Sequence, residues 1–259
     1  MRIAAILEYN GSNFSGWQRQ DQVRSVQGVV EEALSKVADE PVQVTVAGRT
    51  DAGVHAAGQV IHFDTSAIRS DYSWLRGANS NLPSDVAFLW AGPVDDGFHA
   101  RYSAIGRHYH YIVLNRPTRP TYLAQRVTHE YRPLDIQRMQ QGARHLLGKH
   151  DFTSFRATEC QAKSPVRELR ALEVVRQDEF VHIRVHANAF LQHMVRNIAG
   201  VLMTIGAGEH EPDWAREVLV ARDRKAGGVT AAPDGLYLRE IEYPDSFKLP
   251  RLSRDVGLW

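Results

Sequence analysis

Residues Val46–Phe63 read VAGRTDAGVHAAGQVIHF. Two apolar runs are joined by a connection of small residues that carries a single carboxylate, Asp51. Gly48 and Gly53 flank it, Arg49 stands two residues before it and His55 four after. Short apolar or alternating runs mark strands. Here they predict strands over Val42–Ala47 and Gly58–Phe63, with Asp51 in the hairpin connection between them.

Working outward, Val26, Val29, Val30, Ala33, Leu34 and Val37 fall on one helical stripe, with Ser25 placed as an N-cap, so a helix is predicted over Val26–Val37. A strand over Arg2–Tyr9 precedes it. Downstream come a helix over Tyr72–Asn79 and a strand over Val86–Ala91, which completes a β-α-β-β-α-β order. The second half repeats that order without obvious sequence identity. It has a strand over His108–Leu114, a proline-dense connection "NRPTRPTYLAQR", a helix over Asp135–Leu147, and strands over Glu168–Arg176 and Phe180–His186. A long helix over Phe190–Ile205, a shorter one over Pro212–Ala221 and a last strand over Leu236–Tyr243 follow. The expected class is α+β, with two ferredoxin-like halves, residues 1–104 and 105–259, and mainly antiparallel sheets. Periodicity does not choose between halves that pair their sheets and halves that face each other across a cleft. The segment after Tyr243, "PDSFKLPRLSRDVGLW", is polar and proline-containing and reads as a flexible or docking extension.

The 259 residues suffice for one large domain or two small ones. Without an apolar run of about 18 residues there is no transmembrane helix to expect. The N-terminal "MRIAAILEYNG" reads as a strand, not a signal peptide. Cys160 is the only cysteine, which excludes an internal disulfide and a thiolate zinc cluster. A cytoplasmic location is the simplest expectation.

Net charge is +1, so charge placement says more than charge balance. Five of the 31 basic residues are lysines and the other 26 are arginines. A GC-rich genome gives such a bias. So does selection for a flat, forked donor that binds phosphate or stacks on a base. Between Phe98 and Pro133 lie Arg101, Arg107, Arg116, Arg119, Arg126 and Arg132, with Glu130 the sole acid and five tyrosines interleaved. That mixture suits nucleic acid, whose phosphates need cations and whose bases need stacking surfaces. A solvated basic face is the plainer alternative.

Standard explanations of the Asp51 connection fail. No Gly-Lys-Ser/Thr follows it, and the alternating oxygen ligands of a calcium loop are missing. Asp51 with His55 gives two ligands, too few for a metal site. A turn aspartate accepting backbone N–H groups remains open. Against it, the connection is longer than a hairpin needs, and its small residues would let another molecule's backbone come close.

"GRTDAGVHA" (Gly48–Ala56) resembles the catalytic loop of the tRNA pseudouridine synthase A (TruA) family. "YNGSNFSGWQRQ" (Tyr9–Gln20), "SVQGVVEEAL", "NSNLP" (Asn79–Pro83), "FHARYSA" (Phe98–Ala104), "RHYHYIV" (Arg107–Val113), "FLQHMVRNIAG" (Phe190–Gly200) and "TAAPDGLYL" (Thr230–Leu238) resemble further family motifs in the expected order. Asn10 and Ser12 stand where the family more often has Asp and Thr. The resemblance implies isomerisation of uridine to pseudouridine in tRNA, on the 3′ side of the anticodon arm at positions 38–40, without metal or organic cofactor. It implies a homodimer that binds tRNA across both subunits.

Residue by residue, the resemblance makes Asp51 the essential aspartate. Attack on the sugar, attack on the uracil and proton abstraction all stay open for it. It makes Arg196, on the long helix, the cation that keeps Asp51 ionised. A pair of that kind would put the site in a central cleft between the halves. Tyr109 matches the active-site tyrosine, which can stack on a flipped uracil, with Tyr111 of equal strand parity as its rival. Arg49 resembles a residue that helps extrude the target base, His55 reads as structural, and Leu236 and Tyr237 as pocket lining. Arg101, Arg107, Arg116 and Arg119 are the candidate RNA contacts. Two other readings compete: a non-catalytic protein of tandem RNA-binding modules, and an Asp-nucleophile hydrolase, for which the usual second acid or magnesium site is not evident near Asp51.

Overall fold

The computed structural model describes residues 1–252, and residues 253–259, the end of the tail read above as flexible or docking, lie outside them. The described residues form an α+β protein with five α-helices and mainly antiparallel strand pairing. The chain divides into two compact units: Met1–Ile105 with the segment from Tyr237 onward, and Gly106–Leu236.

The first unit runs β1 (Arg2–Tyr9), α1 (Val26–Ala38), β2 (Thr45–Val46), β3 (His55–Asp64), α2 (Asp71–Asn81) and β4 (Val86–Pro93). β1 lies between β4 and β3, antiparallel to both, and β2 pairs antiparallel with β3, a 4-1-3-2 order. Alternation on β1 sends Ile3, Ala5 and Leu7 to the face where Phe63 meets Trp74 edge to face at 5.2 Å, in a core shared with Leu34 of α1. Ser25 caps α1, its Oγ accepting from Gly28 N at 3.3 Å. Ser70 caps α2 in the same way through Ser73 N, at 3.1 Å.

β2 is shorter than the predicted strand over Val42–Ala47 because α1 takes its amides. Val42 N donates to Ser35 Oγ at 2.9 Å and Val44 N to Glu31 Oε1 at 3.1 Å. A backbone donor satisfied by a side chain is lost to the sheet ladder. β3 in turn starts three residues earlier than expected, so His55 stands on the strand and not in the connection.

The last strand, β10 (Leu236–Glu242), was expected in the second half. Its residues pair in parallel with β3 of the first unit, Tyr237 opposite His55 and Leu238 opposite Ala56. Gly58 permits the approach: a Cβ there would sit 2.5 Å from Arg239 O. Beyond β10 the chain packs on the same unit, with Tyr243 and Phe247 rings 5.0 and 5.2 Å from Phe98.

The second unit runs β5 (Gly106–Asn115), β6 (Thr128–Glu130), α3 (Ile136–Arg144), β7 (Gly148–Asp151), β8 (Val166–Gln177), β9 (Phe180–Ala187), α4 (Met194–Gly206) and α5 (Trp214–Ala221). β9 lies between β5 and β8, antiparallel to both. β7 extends the β8 edge, and β6 runs parallel to the end of β5. β6 and β7 escape periodicity because three or four residues cannot display a period. The unit's core includes Val181, Ile183 and Val185 of β9 and Ile198 and Leu202 of α4, and α4 packs against α3 and β5. Asp135 caps α3, its Oδ1 accepting from Gln137 N and Arg138 N. α4 begins four residues later than the predicted Phe190, after His193 at φ +61°. The backbone before it is diverted: Gln192 O accepts from Ala157 N at 2.9 Å.

Candidate active site

The connection between β2 and β3 closes as a turn, Val54 N donating to Asp51 O at 3.2 Å. Gly53, third residue of the turn, has φ +80°, the conformation a type II turn requires there. Asp51 itself is half-buried and Arg49 is exposed. The turn lies against the segment that follows β1. Trp17 N donates to Thr50 O at 3.0 Å and Gly53 N to Phe14 O at 3.3 Å. Two glycines make this approach possible. A Cβ on Gly11 would lie 2.0 Å from Val54 O, and one on Gly16, at φ +93°, would lie 3.0 Å from Thr50 O.

Beneath the turn is a buried polar chain. Tyr9 Oη and Thr50 Oγ1 are 2.8 Å apart, and Gln59 Nε2 donates to Gly48 O at 2.7 Å and to Tyr9 Oη at 3.3 Å. Burial pushes the Tyr9 phenol up to about 12, so it stays neutral. His55 Nδ1 accepts from Gly11 N at 3.0 Å, which places the ring proton of the neutral form on Nε2. The His55 ring stacks on Tyr237 at 4.6 Å with 20° between planes. Asp51, Thr50, His55 and Tyr237 thus belong to one assembly in the first unit. Tyr9, Gly11, Gly16, Trp17 and Gln59, which frame it, are not singled out by charge or periodicity. The available signal was two glycines in a polar stretch after a strand, without any indication of what approaches them.

In the second unit, Tyr109 is half-buried on β5, and its ring meets Phe190 edge to face at 5.0 Å. Its rival Tyr111 is fully buried. Its hydroxyl donates to Ala232 O at 2.8 Å and lies 2.6 Å from Thr128 Oγ1, and burial raises its pKa. Tyr111 is therefore committed to the core, where strand parity alone left the two equal and only the motif register favoured Tyr109.

Arg196 stands in the first turn of α4, half-buried. Its Nε donates to Ala231 O at 2.8 Å, while Ala231 N donates back to Arg196 O at 3.2 Å. Asn197, next to Arg196 in the chain, is buried, its Nδ2 donating to Phe155 O at 2.7 Å. Leu236 is buried, with its N–H donated to Pro233 O at 2.8 Å.

The four candidate RNA-contact arginines differ. Arg101 is exposed, its guanidinium 5.5 Å from the centre of the exposed Tyr102 ring, and Arg119 is exposed. Arg107 Nη1 donates to Asn188 O at 2.7 Å. Arg116 pairs with Glu179 at 3.0 Å and donates to Thr118 O at 3.0 Å. Tyr102, Tyr122 and Tyr131 are 75%, 74% and 67% exposed, so the basic stretch presents aromatic rings to solvent beside its cations. Among the described residues, no helix is long and apolar enough to cross a membrane.

A family described as tRNA pseudouridine synthase matches residues 5–103 and 143–244, and the chain belongs to that family. Among curated relatives, the tRNA pseudouridine synthase A of Nitrosococcus oceani is 61% identical over 259 residues, all of both chains. That of Coxiella burnetii is 58% identical over 97% of this chain and 96% of its own. That of Pseudomonas aeruginosa is 57% identical over 96% and 88%.

Proposed function

We propose that this chain isomerises uridine to pseudouridine in the anticodon arm of tRNA, with Asp51 as the catalytic carboxylate. The bond from ribose C1′ to uracil N1 breaks, a bond from C1′ to C5 forms, the hydrogen on C5 leaves as a proton, and N1 takes up a proton. Electrons balance within the substrate. The observation that carries the reading is the Asp51 turn: one carboxylate at a hairpin tip, on backbone fixed by Phe14, Thr50 and Trp17. Pre-set backbone costs no reorganisation when the substrate arrives, which is how a site keeps a reacting group in place.

In this reading Arg196 supplies the positive charge that keeps Asp51 ionised when water is excluded. Tyr109 stacks on the extruded uracil, Arg49 occupies the space the base leaves, and Leu236 and Tyr237 line the pocket. Arg101, Arg107, Arg116 and Arg119 meet RNA phosphates. Asp51 and Arg196 belong to different units, so the reading requires both units to act on one uridine, as two ferredoxin-like halves flanking a cleft. The 4-1-3-2 order of the first unit supports the ferredoxin-like assignment. A cytoplasmic homodimer that holds tRNA across both subunits belongs to the same proposal, supported by the family.

Release of tritium from tRNA labelled at uridine C5 tests it. The wild type is expected to release tritium from an anticodon-arm substrate, and Asp51→Ala to release none while unfolding at an unchanged temperature. Arg196→Met is expected to lose turnover and keep tRNA affinity. A wild type that binds tRNA without release would mean a non-catalytic RNA-binding protein.

A further inference from the structure

The segment Gly227–Ala231 runs along α4 as a strap, from beside Thr204 past Gly200 to Arg196. Val229 O abuts the helix so closely that a Cβ on Gly200 would lie 2.1 Å from it. The strap ends at Ala231, whose carbonyl takes the Arg196 Nε bond. What fixes the strap is a second arginine, one that motif and periodicity do not single out. Arg224 Nη1 donates to Gly227 O and Gly228 O, both at 3.0 Å. Its Nη2 donates to Thr230 Oγ1 at 2.8 Å and to Asn197 Oδ1 at 3.1 Å. Thr230 Oγ1 donates to the same Asn197 oxygen at 2.7 Å. Asn197, 3% exposed, is the neighbour of Arg196 in the first turn of α4 and is itself anchored to Phe155 O.

Charge makes this use of Arg224 notable. A cation near a helix N-terminus faces the positive end of the helix dipole, and these contacts of Arg224 reach carbonyl, amide and hydroxyl oxygens, not carboxylates. Its planar fork spans acceptors on the strap and on the helix at once, which a lysine ammonium cannot do. We propose that Arg224 is a positioning residue for Arg196: it locks the strap to α4, so that the Ala231 carbonyl sets the plane of the Arg196 guanidinium. The inference rests on the role given to Arg196 above and adds to it the device that aims that side chain.

The test is a single-turnover tritium-release series on the full chain: wild type, Arg224→Met, Arg224→Lys, Arg196→Met and the double Met variant. tRNA affinity and melting temperature are measured alongside. A displacement of about 1 Å in a reacting group costs on the order of 10²-fold in rate. Arg224→Met is expected to slow release by that order, with a tRNA Kd within about twofold of wild type, since the group sets orientation and not binding. Arg224→Lys should remain slow, because charge without the fork does not hold the strap. In the Arg196→Met background, Arg224→Met should cost nothing further, as for residues that act through one another.

A full rate in Arg224→Met or Arg224→Lys overturns the inference, and so does a loss that multiplies in the double variant. Full rate in Arg196→Met is a separate result: it removes the role of Arg196, and with it any action of Arg224 through that residue. Should Arg224→Met fold poorly, Thr230→Val reads the same network more gently. It is expected to slow release about tenfold at unchanged affinity, and an unaltered rate there overturns the inference.

Discussion

The Asp51 turn and the first turn of α4 hold the side chains proposed for catalysis by opposite means. In the first unit the turn is fixed through backbone: Thr50 O and Gly53 N bond to main-chain partners at Trp17 and Phe14, and Gly11 and Gly16 let the chains meet. In the second unit Arg196 is fixed through side chains, with Arg224, Asn197 and Thr230 clamping the strap that receives it. The difference follows from what is held. A short aspartate takes its position from its own backbone, so backbone must be immobilised. A long arginine, with roughly 2 kcal/mol of rotamer entropy to lose, needs a fixed acceptor far from its own backbone. The first arrangement is vulnerable to added atoms, the second to lost hydrogen bonds.

That contrast breaks most severely at Gly11. Gly11→Ala puts a methyl 2.0 Å from Val54 O, and backbone cannot yield as a side-chain end would. A destabilisation of about 1–3 kcal/mol is expected in urea unfolding, with tritium release lost as the turn is displaced. Unchanged midpoint and rate would show that the turn is not held by close approach.

Tyr9→Phe sharpens the same point with less force. It removes the hydroxyl beside Thr50 Oγ1 and Gln59 Nε2. The expected cost is about 1 kcal/mol, with slower release at unaltered tRNA affinity. A variant with wild-type kinetics would leave the close approaches alone in charge of the turn.

Acid reaches the first unit by another route. Burial, with help from Arg2 and His99, lowers the His62 pKa from 6.5 to about 4, and its Nδ1 accepts from Ala100 N at 3.1 Å. The unfolded chain therefore takes up this proton first. The stability due to neutral His62 is complete above the unfolded value and is lost as pH falls from 6.5 toward about 4. His62→Gln, which retains an acceptor, should shrink the difference between urea midpoints at pH 7 and pH 5. An equal pH response in both proteins would dissociate His62 from the acid sensitivity.

The smallest effect is expected at the basic stretch. Arg119→Ala, which removes an exposed arginine, should reduce the slope of log Kd for tRNA against log salt by about 1. Arg116→Ala should do less, since that guanidinium is already tied to Glu179 and Thr118 O. Equal slopes for both variants would mean that the surface ion pair does not compete with phosphate.

Much of this is legible in the sequence alone. The stripe on α1, its Ser25 cap and the apolar run of β1 are local patterns, and each element forms where they place it. The Asp51 connection is legible as unusual for the same reason: glycines, an acid and an arginine stand within a few residues. Other features depend on competition between distant groups. β2 is shortened because Ser35 and Glu31 take its amides. α4 starts late because Ala157 takes Gln192 O.

Sequence by itself determined the types of the longer elements, the α+β class and, through its motifs, the family. These are written in periods and in spacings of a few residues. Tertiary structure decided that β10 pairs with β3, that Tyr111 is committed to the core where Tyr109 is not, and that Arg224 clamps the strap holding Arg196. Each of those outcomes turns on a hydrogen-bond acceptor or a neighbouring surface brought from far along the chain. A one-dimensional pattern carries the residue types that can make such contacts, but only packing selects which of them do.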